Sequence, residues 1–304
     1  MPQSHNWIVL HGRGTSLVLE AVPGEAPLWR YWGPRLEGDA LPTGPLRTDR
    51  PTPSFSPEFD QPLSLVPGLG QGWFGEPGLK AHRDGRDWTF QVTDCGFAHG
   101  DQRIVVTLTD AVARITVAVT LALDPGSDVL TISTTLTNRG DAPLEVQWLA
   151  AAVLQLPDHA RAVRSFSGRH NTEFVPVDGT LTRSQWRREN RRGLTSHDCV
   201  PGAVVQADGC AYGAQLAWSG NHCQLIDWVD DGRWQWQLGE ALMPGEVRLA
   251  PGESLTTPQV LATCAPDGNG VAQNFHAAIR ARMDWPGGAM RPRHPAHDQR
   301  AAVA

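Results

Sequence analysis

The chain has 304 residues, 40% hydrophobic and 19% charged, with a net charge of −6 at pH 7. Those values describe a folded globular protein able to bury a sizeable core, as one large β domain or two ordinary ones. They exclude a disordered chain and any global attraction for nucleic acid or an anionic membrane.

The start, MPQSHNWIVLHGRG, has neither a basic region nor an apolar core of a secretion signal, so the expected compartment is the cytoplasm. No run of about eighteen apolar residues is present to form a membrane-spanning helix. The five cysteines, an odd number without a CxxC pair, argue against a disulfide framework and a zinc ribbon. The 12 Trp against 2 Tyr fit sheet cores, with sugar-stacking surfaces as the second use.

In chain order, residues 6–22 read as a hairpin whose turn is His11-Gly12-Arg13-Gly14. No helix follows this Gly-x-Gly, so it is a turn and not a phosphate loop. An aromatic strand follows at 27–36. Residues 37–80 are rich in Pro and Gly with little periodicity, and a loop of that length is usually functional or an interface arm.

A strand is expected at 86–92. Strict alternation then runs through 114–124, where Ile115, Val117, Val119, Leu121 and Leu123 share a face. It continues through 129–137 and 144–156, with turns at Asp-Pro-Gly-Ser-Asp and Asn-Arg-Gly-Asp. This is antiparallel sheet, packed on one face. Shorter strand signals occupy 160–200, and strands return at 212–218, 223–228, 234–238, 246–249 and 256–263.

One helix is expected at 270–285, with Val271, Phe275, Ala278, Ile279 and Met283 as its apolar stripe and Asp267 or Asn269 as its cap. The fold expected is all-β: a large two-sheet sandwich of fifteen or more strands over 1–268, a linker helix over 269–285, and a polar tail over 286–304.

The polar stretch 184–201 is unusual. Arg187, Arg188, Arg191, Arg192, Glu189, Asp198, Trp186 and His197 crowd a segment flanked by strands. Ser196 and His197 are adjacent, so in an extended chain they face opposite ways and form no catalytic pair. His197-Asp198-Cys199 and His222-Cys223 lack zinc spacing, and no metal or other cofactor is expected. Asp230-Asp231, Glu240 and Glu246 read as turn acids and not as a glycosidase pair. Trp73 and Phe74 sit beside Glu76 in the Gly/Pro loop, with Asp49 and Asp60 upstream. Adjacent large aromatics in such a loop are hard to bury together, so they are candidates for binding, for subunit contact, or for docking on the chain's own sandwich.

Eight motifs in order carry a resemblance. They are Trp29-Arg30-Tyr31-Trp32-Gly33, Ser54-Phe55-Ser56-Pro57, Ser167-Gly168-Arg169 with Glu173, and Trp186-Arg187-Arg188-Glu189. Then come Arg192-Gly193-Leu194-Thr195-Ser196-His197 with Pro201, Ala217-Trp218-Ser219-Gly220-Asn221, Leu242-Met243-Pro244-Gly245-Glu246, and Phe275-His276 with Arg280. Over about 25–293 the chain resembles the N-terminal domain of glycoside hydrolase family 36 α-galactosidases, the bacterial raffinose- and melibiose-cleaving type.

The resemblance implies a galactose-mutarotase-like β-supersandwich, a helical link into a catalytic (β/α)8 barrel carrying the aspartates of a retaining mechanism, and homotetramers. In those tetramers the long N-terminal loop reaches a neighbour's active-site mouth. Barrel positions are expected to be absent here, because the sequence after Arg291-Pro292-Arg293 reads HPAHDQRAAVA. The resemblance therefore implies a scaffolding and oligomerisation domain of a glycosidase for terminal α-linked galactose. It would be inactive alone, meet galactoside oligosaccharides only through a barrel, and have no nucleic-acid or membrane partner.

The candidate sugar-contacting positions are Asp49, Asp60, Trp73 and Phe74. An Arg that many members carry after the aspartate is Gln61 here. A non-catalytic galactoside-binding module is the alternative. A weaker one is an aldose-epimerase-like enzyme using His170 with Glu173 or His197 with Glu189.

Overall fold

The computed structural model describes residues 6–37, 61–195, 197–230 and 232–283. Among these are twenty strands and one α-helix. In chain order the first ten strands are β1 (Asn6–His11), β2 (Thr15–Ala21), β3 (Leu28–Pro34), β4 (Leu79–His82), β5 (Asp94–Gly100), β6 (Arg103–Asp110), β7 (Ile115–Asp124), β8 (Val129–Asn138), β9 (Leu144–Leu149) and β10 (Ala152–Leu156). The next ten are β11 (Ala160–Ser167), β12 (Val175–Thr180), β13 (Trp186–Asn190), β14 (Gly202–Ala207), β15 (Cys210–Leu216), β16 (His222–Trp228), β17 (Trp234–Glu240), β18 (Val247–Leu249), β19 (Ser254–Thr256) and β20 (Val260–Ala265). Helix α1 (Gly268–Arg282) follows.

Nine strands form one sheet in the order β12-β11-β14-β15-β20-β8-β7-β6-β5, with β19 also pairing to β8. Along β7 buried and half-buried residues alternate through the strand, as period-2 patterning requires when one face packs. The second layer is three smaller sheets: β1-β2-β3, β10-β17-β16-β13 and β18-β9-β4. The all-β sandwich with a C-terminal helix is therefore present, with one layer subdivided. One cluster of buried side chains, including Trp29, Trp32, Trp236, Leu108 and Leu121, joins the layers.

The first hairpin explains its glycines. A Cβ on Gly12 would lie 2.2 Å from Asp128 Oδ1, and the Gly14 N–H donates to both Asp128 carboxylate oxygens at 2.9 and 3.0 Å. The Gly-x-Gly turn thus cradles a carboxylate of its own chain.

Two expectations fail. Residues 86–92 form no strand. Asp84, Gly85 and Asp87 all have positive φ, so the backbone turns there, and the Trp88/Phe90/Val92 alternation lies in an irregular segment between β4 and β5. Residues 144–156 are two strands in different sheets. At the break the Ala150 N–H donates to Gly78 O and the Ala151 N–H to Leu238 O, so the chain changes partners within two residues.

Helix α1 is capped by Asp267, whose side chain accepts from the Gly270 N–H at 2.8 Å, a typical N-cap contact. Val271 and Ala278 face the sheet, whereas Ile279 and Met283 are exposed. No helix among the described residues is long and apolar enough to cross a membrane.

Candidate functional site

The candidate loop is tied down from its glycines outward. Gly68 leads into a short 3-10 turn, Leu69–Gln71, which Gly72 closes at φ 79°. A Cβ on Gly68 or Gly70 would meet the Phe90 carbonyl oxygen at 2.6 or 2.7 Å. Only glycine permits that approach, and the Gly70 N–H donates to the same oxygen at 3.2 Å.

Trp73 then turns inward and is 2% exposed, with its Nε1–H donating to Glu76 O at 3.1 Å. Phe74 turns outward and is 72% exposed. The Gly/Pro loop thus resolves its aromatic pair by burying one ring and showing the other. Of the residues expected to meet sugar, Trp73 is packed into the core and borders a cleft shared with Gln61 and Gln71. Asp49 and Asp60 lie outside the described residues. The order of the segment comes from beneath it. Gln235 and Gln237 of β17, both fully buried, donate to Glu76 O at 3.3 and 2.8 Å. Trp148 Nε1–H donates to Gln237 Oε1 at 2.9 Å. The Glu76 carboxylate pairs with Lys80. Asp227 Oδ1 accepts from the Trp228 N–H at 3.1 Å, and burial holds its carboxyl above the usual carboxylate range.

The arginine-rich stretch is ordered around Asn190, which is fully buried. Its Nδ2 donates to Leu194 O at 2.6 Å, and its Oδ1 accepts from the Arg192 N–H at 3.0 Å. Its first half is β13, an edge strand paired to β16, where outward arginines are tolerated. Glu189 pairs with Arg191 and Arg187. Burial alone would raise its carboxyl, but the two guanidiniums outweigh it and hold the pKa below the usual range. Arg192 Nε donates to both Asp198 oxygens at 2.9 and 2.8 Å.

Neither candidate epimerase pair forms a catalytic cleft. Glu189 is engaged by arginines. His170 and Glu173 stand on an exposed loop, where Glu173 Oε1 accepts from the Asn171 N–H.

A Cys–His contact, absent from the sequence reading, is buried here. Cys199 Sγ lies 3.6 Å from His222 Nε2, and His222 Nδ1 lies 3.1 Å from Gly220 O. The Gly220 carbonyl fixes Nδ1 as the protonated nitrogen, so Nε2 is the acceptor. Burial pushes the Cys199 thiol up to about 11 and lowers the His222 pKa. A protonated thiol beside a neutral imidazole is a packing contact and not an activated nucleophile. Among the described residues no group of three or more His, Cys, Asp or Glu side chains converges to hold a metal ion.

Comparisons with known proteins agree with this architecture. The family model described as "Glycosyl hydrolase family 36 N-terminal domain" matches residues 25–250. The alpha-galactosidase of Escherichia coli is 31% identical over 288 residues, which are 92% of this chain and 40% of that protein. Alpha-galactosidase Mel36A of Lactobacillus acidophilus is 26% identical over 216 residues, 69% of this chain and 28% of that protein. Among solved structures, the GH36 alpha-galactosidase AgaA of Geobacillus stearothermophilus superposes with a TM-score of 0.78 at 21% identity, over 91% of this chain and 43% of that one. At that identity the superposition speaks for the fold alone. The sequence spans about two-fifths of the length of the Escherichia coli relative. With three-quarters of its residues matched by the family model, the chain belongs to the glycosyl hydrolase family 36 N-terminal domain family.

Proposed function

We propose that these 304 residues form the scaffolding and oligomerisation region of an α-galactosidase acting on terminal α-linked galactose, and that by themselves they hydrolyse nothing. The observation that carries this reading is the match to α-galactosidases over nearly all of this chain but only 40% of the Escherichia coli relative.

The 61–76 segment supports a presenting role. It is stapled to β17 through Glu76 O, while Phe74 stands clear of the core. A fixed backbone with one exposed aromatic suits contact with a neighbouring subunit or with sugar at that subunit's site. Asp49 and Asp60 belong to the same presenting loop in this reading. The arginine–carboxylate pairs of 187–198 suit a domain or subunit interface. The protein acts in the cytoplasm, without nucleic-acid or membrane partners.

Sedimentation velocity of the purified chain tests the assembly role. A concentration-dependent oligomer that Phe74→Ala weakens supports the reading. A monomer at every concentration, unchanged by the substitution, overturns it.

A further inference from the structure

A cleft of about 500 Å³ opens where the β16–β17 hairpin meets the turn before β11 and the segment before β13. Its walls carry Trp228, Trp234, Arg161, Arg183, Asp158 and Asp230. None of its lining residues belongs to the 61–76 loop.

The chemistry of this lining is specific. Two guanidiniums and two carboxylates balance, so the cleft selects neither anions nor cations. Carboxylates accept from hydroxyls and guanidiniums donate to them. An indole offers a flat apolar face with a polar edge. A molecule carrying many hydroxyls on a ring with an apolar face meets all three demands, and the volume is in the range of small-molecule sites.

The Trp228 ring is already used as a platform. The Arg183 guanidinium carbon lies over the ring, 4.9 Å from its centroid, within cation–π distance. Arg183 is exposed, so it can leave the ring without breaking the core. Trp228 is half-buried and held by its cross-strand partner Trp234, which is 6% exposed. Arg161 is positioned at the rim by donating to Asp158 O at 3.1 Å and by Asp208 at 3.9 Å. The platform is therefore rigid and its cover movable, the arrangement a ligand needs to exchange with a side chain.

We propose that this cleft binds a neutral oligosaccharide, one pyranose ring stacking on Trp228 in place of Arg183, with Asp158 and Asp230 accepting from its hydroxyls and Arg161 donating to them. Such a site holds substrate-like sugar on the scaffold itself, and it stands or falls separately from the assembly role above.

The test is calorimetric titration of the 304-residue chain with raffinose, read together with quenching of tryptophan fluorescence. The expected result is saturable binding at millimolar sugar. Trp228→Ala should weaken it at least about tenfold by removing the stacking face. Asp158→Ala, an exposed position that leaves the fold intact, should weaken it roughly three- to tenfold by removing a hydroxyl acceptor. Val112→Ala, at an exposed position outside the cleft, should bind as the parent does. Absence of saturable binding, or unchanged binding in both cleft variants, overturns the proposal. So does loss of binding in Val112→Ala alone.

Discussion

Removing Gln237 should unseat the candidate loop. Its side chain is fully buried and makes three contacts: to Glu76 O at 2.8 Å, to Gln235 Oε1 at 3.0 Å, and from Trp148 Nε1 at 2.9 Å. Gln237→Leu keeps similar bulk but deletes all three. Glu76 O keeps the donors of Gln235 and Trp73, so its loss is partial. The Trp148 N–H loses the acceptor described here. A buried polar group without a partner costs about 1–3 kcal/mol, so Gln237→Leu should cost roughly 2–4 kcal/mol in total.

Trp148→Phe removes the donor instead and strands Gln237 Oε1, for about 1–3 kcal/mol plus a small packing loss. In the double variant neither group is stranded by the other, so the total should fall short of the sum by about 1 kcal/mol or more. Urea unfolding of the four proteins measures this cycle, and protease cleavage within 61–76 reports on the loop. Additivity within about 0.3 kcal/mol would refute the coupling, because independent sites behave that way. Unchanged cleavage of the loop in Gln237→Leu would refute its role as the staple.

Gly68→Ala places a methyl 2.6 Å from Phe90 O and should cost about 1–3 kcal/mol by overpacking, whereas alanine at Gly96, where no atom lies within 4 Å and φ is not positive, is the control without a clash or backbone strain. Equal destabilisation at both positions would show that close approach is not what Gly68 serves. His222 is buried with its pKa below the ordinary 6.5, so the unfolded chain binds the proton more readily. Its contribution is fully present above about pH 6.5 and is lost as pH falls toward the folded-state pKa. His222→Gln should flatten the fall of stability below about pH 6.5, and an unchanged slope, followed by chemical denaturation, would contradict the buried neutral imidazole.

The strands that sequence patterning places well are those with one packed face. In β7 and β8 apolar residues alternate with threonine and alanine, and the burial follows. Patterning misleads where backbone geometry overrules it. Trp88, Phe90 and Val92 alternate like a strand, but the positive φ of Asp84, Gly85 and Asp87 bends the chain before they can pair. It also misleads where both faces are covered. Trp234-Gln235-Trp236-Gln237 reads as half-solvated, yet all four are buried because the loop above satisfies the glutamines.

The same loop decides the site. Nothing in a Trp-Phe pair says which ring turns inward; the answer lies in Glu76 O, whose acceptor position draws the Trp73 indole N–H down. The arginine stretch was legible as ordered because a solvated loop has no use for Trp186. That its order centres on Asn190 was not legible, since a buried asparagine looks like any other until its partners, Leu194 O and the Arg192 N–H, are in place.

The most direct measurement is hydrolysis of p-nitrophenyl-α-galactoside by the purified 304-residue chain. Release of p-nitrophenol should be no faster than the enzyme-free blank, at any pH at which the chain stays folded. Turnover above that blank, abolished by substituting carboxylates of this chain, would contradict the scaffold reading and place a catalytic site within these residues.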